Sequence, residues 1–319
     1  MKIAVTGAAG LVGQNLIARL KGRQFRNAGP GGGGQTEIVA IDKHPANTRV
    51  LRELHPDITV VEADMARRGP WEAALDGVDA IVVGHAQIGG LVEREFTDNN
   101  LVATERLLDA VAARGGCHLV HISSSVVNSA ADDFYTRTKA AQEAMVLAAG
   151  HPTVVLRPTL MFGWFDRKHL GWLARFMRRA PVFPVPGSGD YLRQPLYAGD
   201  FCEILIACLE QRAAGVAYNI SGQERITYIE LMRLVREAVR ARAPIIRVPY
   251  RLFWLMLAAY AVADRNPPFT TKQLEALVTP DIFEVIDWPG IFGVRATPLR
   301  DALFEAFRDP RYAAIALEF

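Results

Sequence analysis

Tyr135 and Lys139 stand four residues apart in the stretch Tyr135-Thr136-Arg137-Thr138-Lys139. On a helix, that spacing puts both side chains on one face, one turn from each other. Ala140 through Met145 follow without proline or glycine and are good helix formers, so a helix is predicted here. A free tyrosine titrates near pH ~10 and is a poor acid or base at neutral pH. A neighbouring ammonium favours the phenolate and draws that value down. The pair therefore reads as a proton-transfer device. A surface tyrosine beside a surface lysine has the same spacing, so the elements around the pair must decide.

The first of those elements opens the chain. Ile3-Ala4-Val5 is a buried-strand pattern that runs into Thr6-Gly7-Ala8-Ala9-Gly10-Leu11-Val12-Gly13, and then into Leu16-Ile17-Ala18-Arg19-Leu20 at helical spacing. Strand, glycine turn and helix form the context in which a dinucleotide binds. Gly7 allows a tight turn, Gly10 lets the backbone approach a pyrophosphate, and Gly13 lets the helix pack close to the strand. Leu11 and Val12 then head a helix whose free N–H groups face the phosphates. Glu37–Ile41 is the second strand, and Asp42 ends it. A carboxylate there suits an adenosine ribose and repels a 2′-phosphate, which favours NAD over NADP. Lys43 and Arg49 lie nearby and weaken that exclusion; capping of the next helix is the other role open to Asp42.

Further strands are predicted at 58–61, 80–83, 118–122 and 153–157, with helices between them. Asp64 and Met65 follow the third strand, where an adenine would lie. Gly84, His85 and Ala86 follow the fourth, where small residues admit a cofactor. His85 reads as structural rather than as a catalytic base. Asn99-Asn100 is expected to begin a helix, and Ser123-Ser124-Ser125 ends the fifth strand. The alternation predicts an α/β protein with a doubly wound parallel sheet. The strand ends carrying Gly7, Asp42, Ser124 and Pro158 should share its carboxyl edge, where ligands bind.

After Pro158 the rhythm changes. Helices are expected over 170–179, over 200–209 with Asp200 as its cap, and over 227–239. Thr297-Pro298 starts a last one. Gly29-Pro30-Gly31-Gly32-Gly33-Gly34 reads as a linker without chemistry, since no Gly-Lys-Ser/Thr follows it. The run 252–263 is apolar but well short of the ~20 residues that span a bilayer. A buried helix or an oligomer contact is expected there in preference to a membrane role.

Composition excludes several classes. With 319 residues, a formal charge of +2 and 22% charged residues, nothing argues for nucleic acid. Cys117, Cys202 and Cys208 lack metal-ligand spacing, so buried reduced thiols and no metal are expected. The chain opens directly on a strand-like run without a basic leader, so no signal peptide is predicted and the cytoplasm is the expected location.

Together these residues resemble the extended short-chain dehydrogenase/reductase superfamily, in particular its branch of NAD-dependent nucleotide-sugar epimerases and dehydratases. The glycine turn matches the family's T-G-x-x-G-x-x-G, and Asp42 its ribose acid. Asn100 through Thr104 is similar to its N-V-x-G-T helix start. Ser124, Tyr135 and Lys139 match its catalytic serine and Tyr-Lys pair. Arg157-Pro158 with Phe162-Gly163 is similar to its R-P…Y-G segment, and Arg193 to its phosphate-binding arginine. The resemblance covers most of residues 1–225.

The resemblance implies a Rossmann-type fold with a smaller, discontinuous C-terminal substrate region. The cofactor domain would comprise 1–160 plus about 190–222, and the substrate region 161–189 and 223–319. It implies NAD held by the residues above together with Asn100, Ser123, Tyr135, Lys139 and Pro158. Ser124, Phe162 and Arg193 would meet the substrate, most naturally a nucleotide sugar, and a homodimer is left open. Tyr135 would exchange the proton, Ser124 position the oxygen, and Lys139 lower the tyrosine pKa and hold the nicotinamide ribose. Ser125-Val126 stands where the family's dehydratases carry Asp-Glu, so a 4-epimerase or 4-keto reductase is expected and a 4,6-dehydratase is not. Tyr135 stands eleven positions after Ser124, a short loop that suits a steroid-like or other apolar alcohol as the alternative substrate, as would Trp164, Phe165, Trp172 and Phe176, for which core packing is the preferred reading. A non-catalytic dinucleotide-binding subunit is the third reading.

Overall fold

Seven strands, all parallel, make one central sheet in the computed structural model, which describes residues 1–25, 36–129, 131–263, 271–279 and 282–318. The strands are β1 (Lys2–Thr6), β2 (Glu37–Asp42), β3 (Thr59–Glu62), β4 (Ala80–Val83), β5 (His118–Ile122), β6 (Thr153–Pro158) and β7 (Val216–Ile220). Their order across the sheet is β7-β6-β5-β4-β1-β2-β3. The order reverses between β1 and β4, and such a switch point opens a crevice at the carboxyl ends of the strands. The expected doubly wound architecture is what forms. The glycine loop Gly29–Gly34 lies outside the described residues.

Both faces of the sheet are covered, which is why its strands read as unbroken apolar runs. Along β4 the side chains alternate: Ala80 and Val82 join the core on one face, Ile81 and Val83 the core on the other. On the first face lie helix α1 (Leu11–Leu20), with Leu16, Ile17 and Leu20 buried, and a later helix, Ala198–Gln211. Each such side chain stabilises by roughly 1.5–3 kcal/mol. On the second face lie Trp71, Leu107, Val111 and Val146.

A separate core gathers the segments beyond β6. Helices His169–Arg179, Tyr228–Ala238 and Leu299–Arg308 bring Met177, Met232, Val235 and Leu303 together. Thr227 caps the middle one in a reciprocal capping box with Glu230.

Three local expectations are corrected. Asp200 does not cap its helix, which begins earlier at Ala198; its carboxylate instead accepts Thr297 N–H at 3.0 Å and Thr297 Oγ1 at 2.6 Å. The Asn99-Asn100 helix starts earlier, at Glu93, and passes through a π-helical turn, Thr97–Val102, before Ala103–Ala112. The apolar helix Tyr250–Ala263 is not buried: from 250 to 259 every residue is exposed or half-buried. Among the described residues no helix is long and apolar enough to cross a membrane, and no cluster fit for a metal appears.

Candidate active site

The site is built where β1, β2, β4 and β5 end. Gly7 leaves β1 at φ +66°, and a Cβ there would stand 2.6 Å from the Gly84 carbonyl oxygen at the end of β4. Only glycine permits both the conformation and that approach. At Gly13 a Cβ would come within 2.4 Å of the Ala8 carbonyl, so α1 lies hard against the turn. Gly10 heads α1 without a side-chain cap, and its first turn holds no acid. The N–H groups of Leu11, Val12 and Gly13 therefore have no intrahelical acceptor and are left for a ligand.

Asp42 ends β2 and turns toward this mouth. One carboxylate oxygen accepts Ala9 N–H at 2.9 Å and the other His44 N–H at 3.0 Å. Asp42 thus braces the glycine turn and does not cap the next helix, whose cap is His44. A crevice beside it is lined by Gly7, Asp42, Lys43, Asp64, Met65, His85 and Ala86, which brings seven predicted residues to one place. Ile41, Ala63, Gln87, Asn99 and Ala103 complete it. Lys43 Nζ donates to Asn99 Oδ1 at 2.7 Å.

His85 is held in the fold through its ring. Its two ring nitrogens pair with Thr6 Oγ1 at 2.8 Å and Thr104 Oγ1 at 2.9 Å. Burial pulls its pKa down to about 3, so it stays neutral, and Lys139 acts in the same direction. Asn100 is fully buried; its amide nitrogen donates to Thr138 Oγ1 at 2.9 Å and its oxygen accepts Gln87 N–H at 2.6 Å. It fastens the segment after β4 to the tyrosine helix, with its polar atoms already engaged.

That helix is Phe134–Ala148, capped by Asp133 through Thr136 N–H at 2.8 Å. Tyr135 sits in its first turn, half-buried, with its hydroxyl close enough to Ser124 for that side chain to draw its pKa down. Lys139 is one turn on and 1% exposed. Its Nζ donates to the Ile122 carbonyl at 2.9 Å and to Gln142 Oε1 at 2.6 Å, which fixes the helix to the end of β5.

Electrostatically, the pair departs from expectation. Burial raises the Tyr135 phenol above its ordinary value, and the nearby Ser124 side chain only partly offsets this. Burial also pulls the Lys139 ammonium down to about 7, against the opposing pull of Glu143. The expected lowering of the tyrosine pKa by Lys139 is therefore corrected: the amine is spent on Ile122 and Gln142 and carries only part of its charge near neutrality.

Two residues that the sequence reading missed hold this arrangement. Gln142 joins Lys139 to Thr104 Oγ1 at 2.9 Å, and so to the His85 network. Glu143 accepts Ser123 Oγ at 2.5 Å and a forked ion pair from Arg157. Burial pushes the Glu143 carboxyl up, but Arg157 and Ser123 outweigh it and hold the group below its usual value. They stand three and four residues after Lys139, one helical turn on, as Lys139 itself stands one turn after Tyr135.

The remaining candidates lie in other settings. Pro158 ends β6 opposite Ile220. Phe162 is 1% exposed, within the second core and against the Tyr197 ring at 5.5 Å. Arg193 donates to the Thr279 carbonyl at 2.8 Å and lies over the Tyr191 ring. Trp164 and Phe165 pack on Tyr312 in a small core of their own, while Trp172 stacks on Phe176 elsewhere. The aromatic residues are therefore packing groups and not one apolar lining.

A crevice at the glycine turn of a doubly wound sheet, with Ser124, Tyr135 and Lys139 gathered where the nearby β5 ends, defines a nucleotide-dependent oxidoreductase class. The family of NAD dependent epimerases and dehydratases matches residues 3–221, and the chain belongs to it. NAD is the cofactor of that family, and the glycine cradle, the uncapped α1 and Asp42 fit it. The chain is 27% identical over 270 residues to a dTDP-glucose 4,6-dehydratase of an Actinoplanes species, covering 76% of this chain and 83% of that one. It is 27% identical over 318 residues to a 2-alkyl-3-oxoalkanoate reductase of Stenotrophomonas maltophilia, covering 88% and 90%. Its fold is similar to that of a UDP-glucuronic acid 4-epimerase of Bacillus cereus solved with NAD, with TM-score 0.69, 20% identity and 98% of each chain covered. The first relative overturns the expectation that excluded a 4,6-dehydratase. Ser125-Val126 was too narrow a ground, because an acid or base is defined by its place around the substrate and not by its place after Ser124.

Proposed function

We propose that this chain oxidises or reduces a carbinol/carbonyl carbon of a nucleotide sugar, with Tyr135 moving the proton. The meeting of Ser124, Tyr135 and Lys139 at the end of β5, beside the glycine crevice, carries this reading. NAD, when bound, supplies hydride acceptance and donation at that carbon. Gly7, Gly10, Leu11, Val12 and Gly13 receive the pyrophosphate, and Asp42 the adenosine ribose. Lys43, Asp64, Met65, Ala86 and the His85 backbone surround the adenine. Ser124 aligns the substrate oxygen with the Tyr135 hydroxyl. With its phenol raised by burial, Tyr135 holds its proton at neutral pH and is set to donate it to a carbonyl oxygen. Turnover of UDP- or dTDP-sugars by the purified chain with NAD tests the proposal. NAD binding without turnover of any sugar nucleotide or apolar carbonyl substrate would favour the non-catalytic subunit.

A second reading has one observation behind it. The relative aligned over 88% of this chain is named for an apolar oxo acid. Reduction of a 3-oxoalkanoate, with sugar nucleotides inert, would move the substrate to that class and leave the proton chemistry in place.

Two further outcomes are expected. NAD should bind more tightly than NADP, because the Asp42 carboxylate meets a 2′-phosphate at close range. Equilibrium binding of both nucleotides measures this, and Asp42→Ala should narrow the difference; tighter NADP binding by the wild type would shift the reading to Lys43 or Arg49 as a phosphate clamp. Arg193→Ala should raise KM for a nucleotide diphosphate sugar, since a charged hydrogen bond is worth about 1.5–3 kcal/mol. A fall in Tm with unchanged KM would instead make its role structural, through contacts such as the bond to Thr279.

A further inference from the structure

Helix Tyr250–Ala263 breaks the usual rule for a surface helix, whose outward stripe is polar. Tyr250, Phe253 and Leu257 are half-buried and recur on one face. The opposite face carries Leu252, Leu255, Met256 and Ala259, spaced i, i+3, i+4 and i+7, and it is also apolar. Leu252, Leu255 and Met256 are 50%, 59% and 56% exposed. A continuous exposed stripe of this kind marks a surface that something apolar covers.

The charge around the stripe says what that is. Between Glu237 and Asp264 the chain holds Arg240, Arg242, Arg247 and Arg251 and no acidic residue. All four arginines are exposed, and two of them, Arg247 and Arg251, flank the start of the helix; Arg247 has one carboxylate, Asp190, 3.8 Å away across an exposed pair, which leaves the patch net positive. Trp254, 38% exposed, adds a ring of the kind that favours the level of lipid headgroups. We propose that this helix lies flat on a bilayer surface containing anionic lipid, with the Leu252–Leu255–Met256 stripe in the acyl boundary and the arginines among the headgroups. At 14 residues the helix is too short to span and long enough to lie in the interface. A second copy of the chain is the poorer occupant. A two-fold contact through this stripe would set the same arginine belt against itself.

Co-sedimentation of the full chain with vesicles tests this. Binding is expected to phosphatidylcholine vesicles that contain phosphatidylglycerol and not to phosphatidylcholine alone, and added salt should weaken it. Leu255→Glu, and separately Arg247→Glu with Arg251→Glu, should each reduce binding at least about tenfold while NAD affinity and Tm stay at the wild-type values. The proposal is overturned by absence of binding to the anionic vesicles, or by binding that Leu255→Glu leaves unchanged. It is equally overturned if the chain ignores vesicles but forms a dimer in sedimentation velocity that Leu255→Glu dissolves, which would assign the stripe to a second copy.

Discussion

Tyr135→Phe is expected to lower turnover by ~10²–10⁴-fold, the usual contribution of a positioned acid or base, with NAD affinity nearly intact. The substitution deletes one hydroxyl and keeps the ring that fills the half-buried first turn of its helix. Tyr135 does not line the Asp42 and Gly7 crevice, so most of the cofactor binding should survive. The pH profile gives a second readout. Because burial holds the phenol above its ordinary value, oxidation of a carbinol, which needs the phenolate, should climb with pH on the alkaline side, while carbonyl reduction, which needs the proton, should hold steady across neutrality. The variant's residual rate should lack that climb. Ser123 cannot take over from its neighbour Ser124, because its hydroxyl is donated to Glu143. Steady-state rates beside cofactor titrations measure all of this, and wild-type turnover by Tyr135→Phe would remove Tyr135 from the reaction.

Most of what positions this site was legible because it is local. Parallel strands buried on both faces leave apolar runs, and Gly7 and Gly13 are forced by contacts within a dozen residues of the turn or across one strand pair. The Tyr135–Lys139 spacing is likewise helical geometry. What escaped is what depends on distant chain. Asp200 looked like a cap because its partner, Thr297, is 97 residues away. Gln142 and Glu143 look like a solvated helix face until β5 and β6 are placed beside them, bringing Ile122, Ser123 and Arg157 within reach. Spacing showed that Tyr135 and Lys139 share a face, but it could not show how deeply each is buried. Burial reverses the electrostatic expectation for both. The same blindness applies at the apolar helix: sequence reports that Leu252, Leu255 and Met256 want cover, and only the fold reports that this chain's described residues do not supply it.

The second large effect belongs to Lys139 and is read in stability. Its pKa stands at about 7 in the folded protein, because burial penalises the ammonium, and returns to the ordinary 10.5 when the chain unfolds. Between those values the unfolded state binds a proton that the folded state has released, so folding stability rises with pH across that window. Below about pH 7 both states are protonated and the full cost of the buried charge is felt; above about 10.5 both are neutral and the cost is gone. The gain across the window is on the order of 5 kcal/mol as an upper bound, before Glu143 and local water relax the charge. Lys139→Met keeps the length and apolar stem but cannot titrate. Its stability should therefore lack this rise, and the wild-type minus variant difference should grow from pH 7 to pH 10. The variant also leaves the Ile122 carbonyl and Gln142 Oε1 without their donor, a loss of about 1–3 kcal/mol for each buried group, which lowers its curve at every pH without tilting it. Denaturant midpoints taken at intervals from pH 6 to 10 on both proteins separate the tilt from the offset. Parallel curves would mean that Lys139 keeps its ordinary pKa when folded. An ammonium fully charged at neutrality would then restore the electrostatic pull on Tyr135 that the burial of both groups otherwise removes.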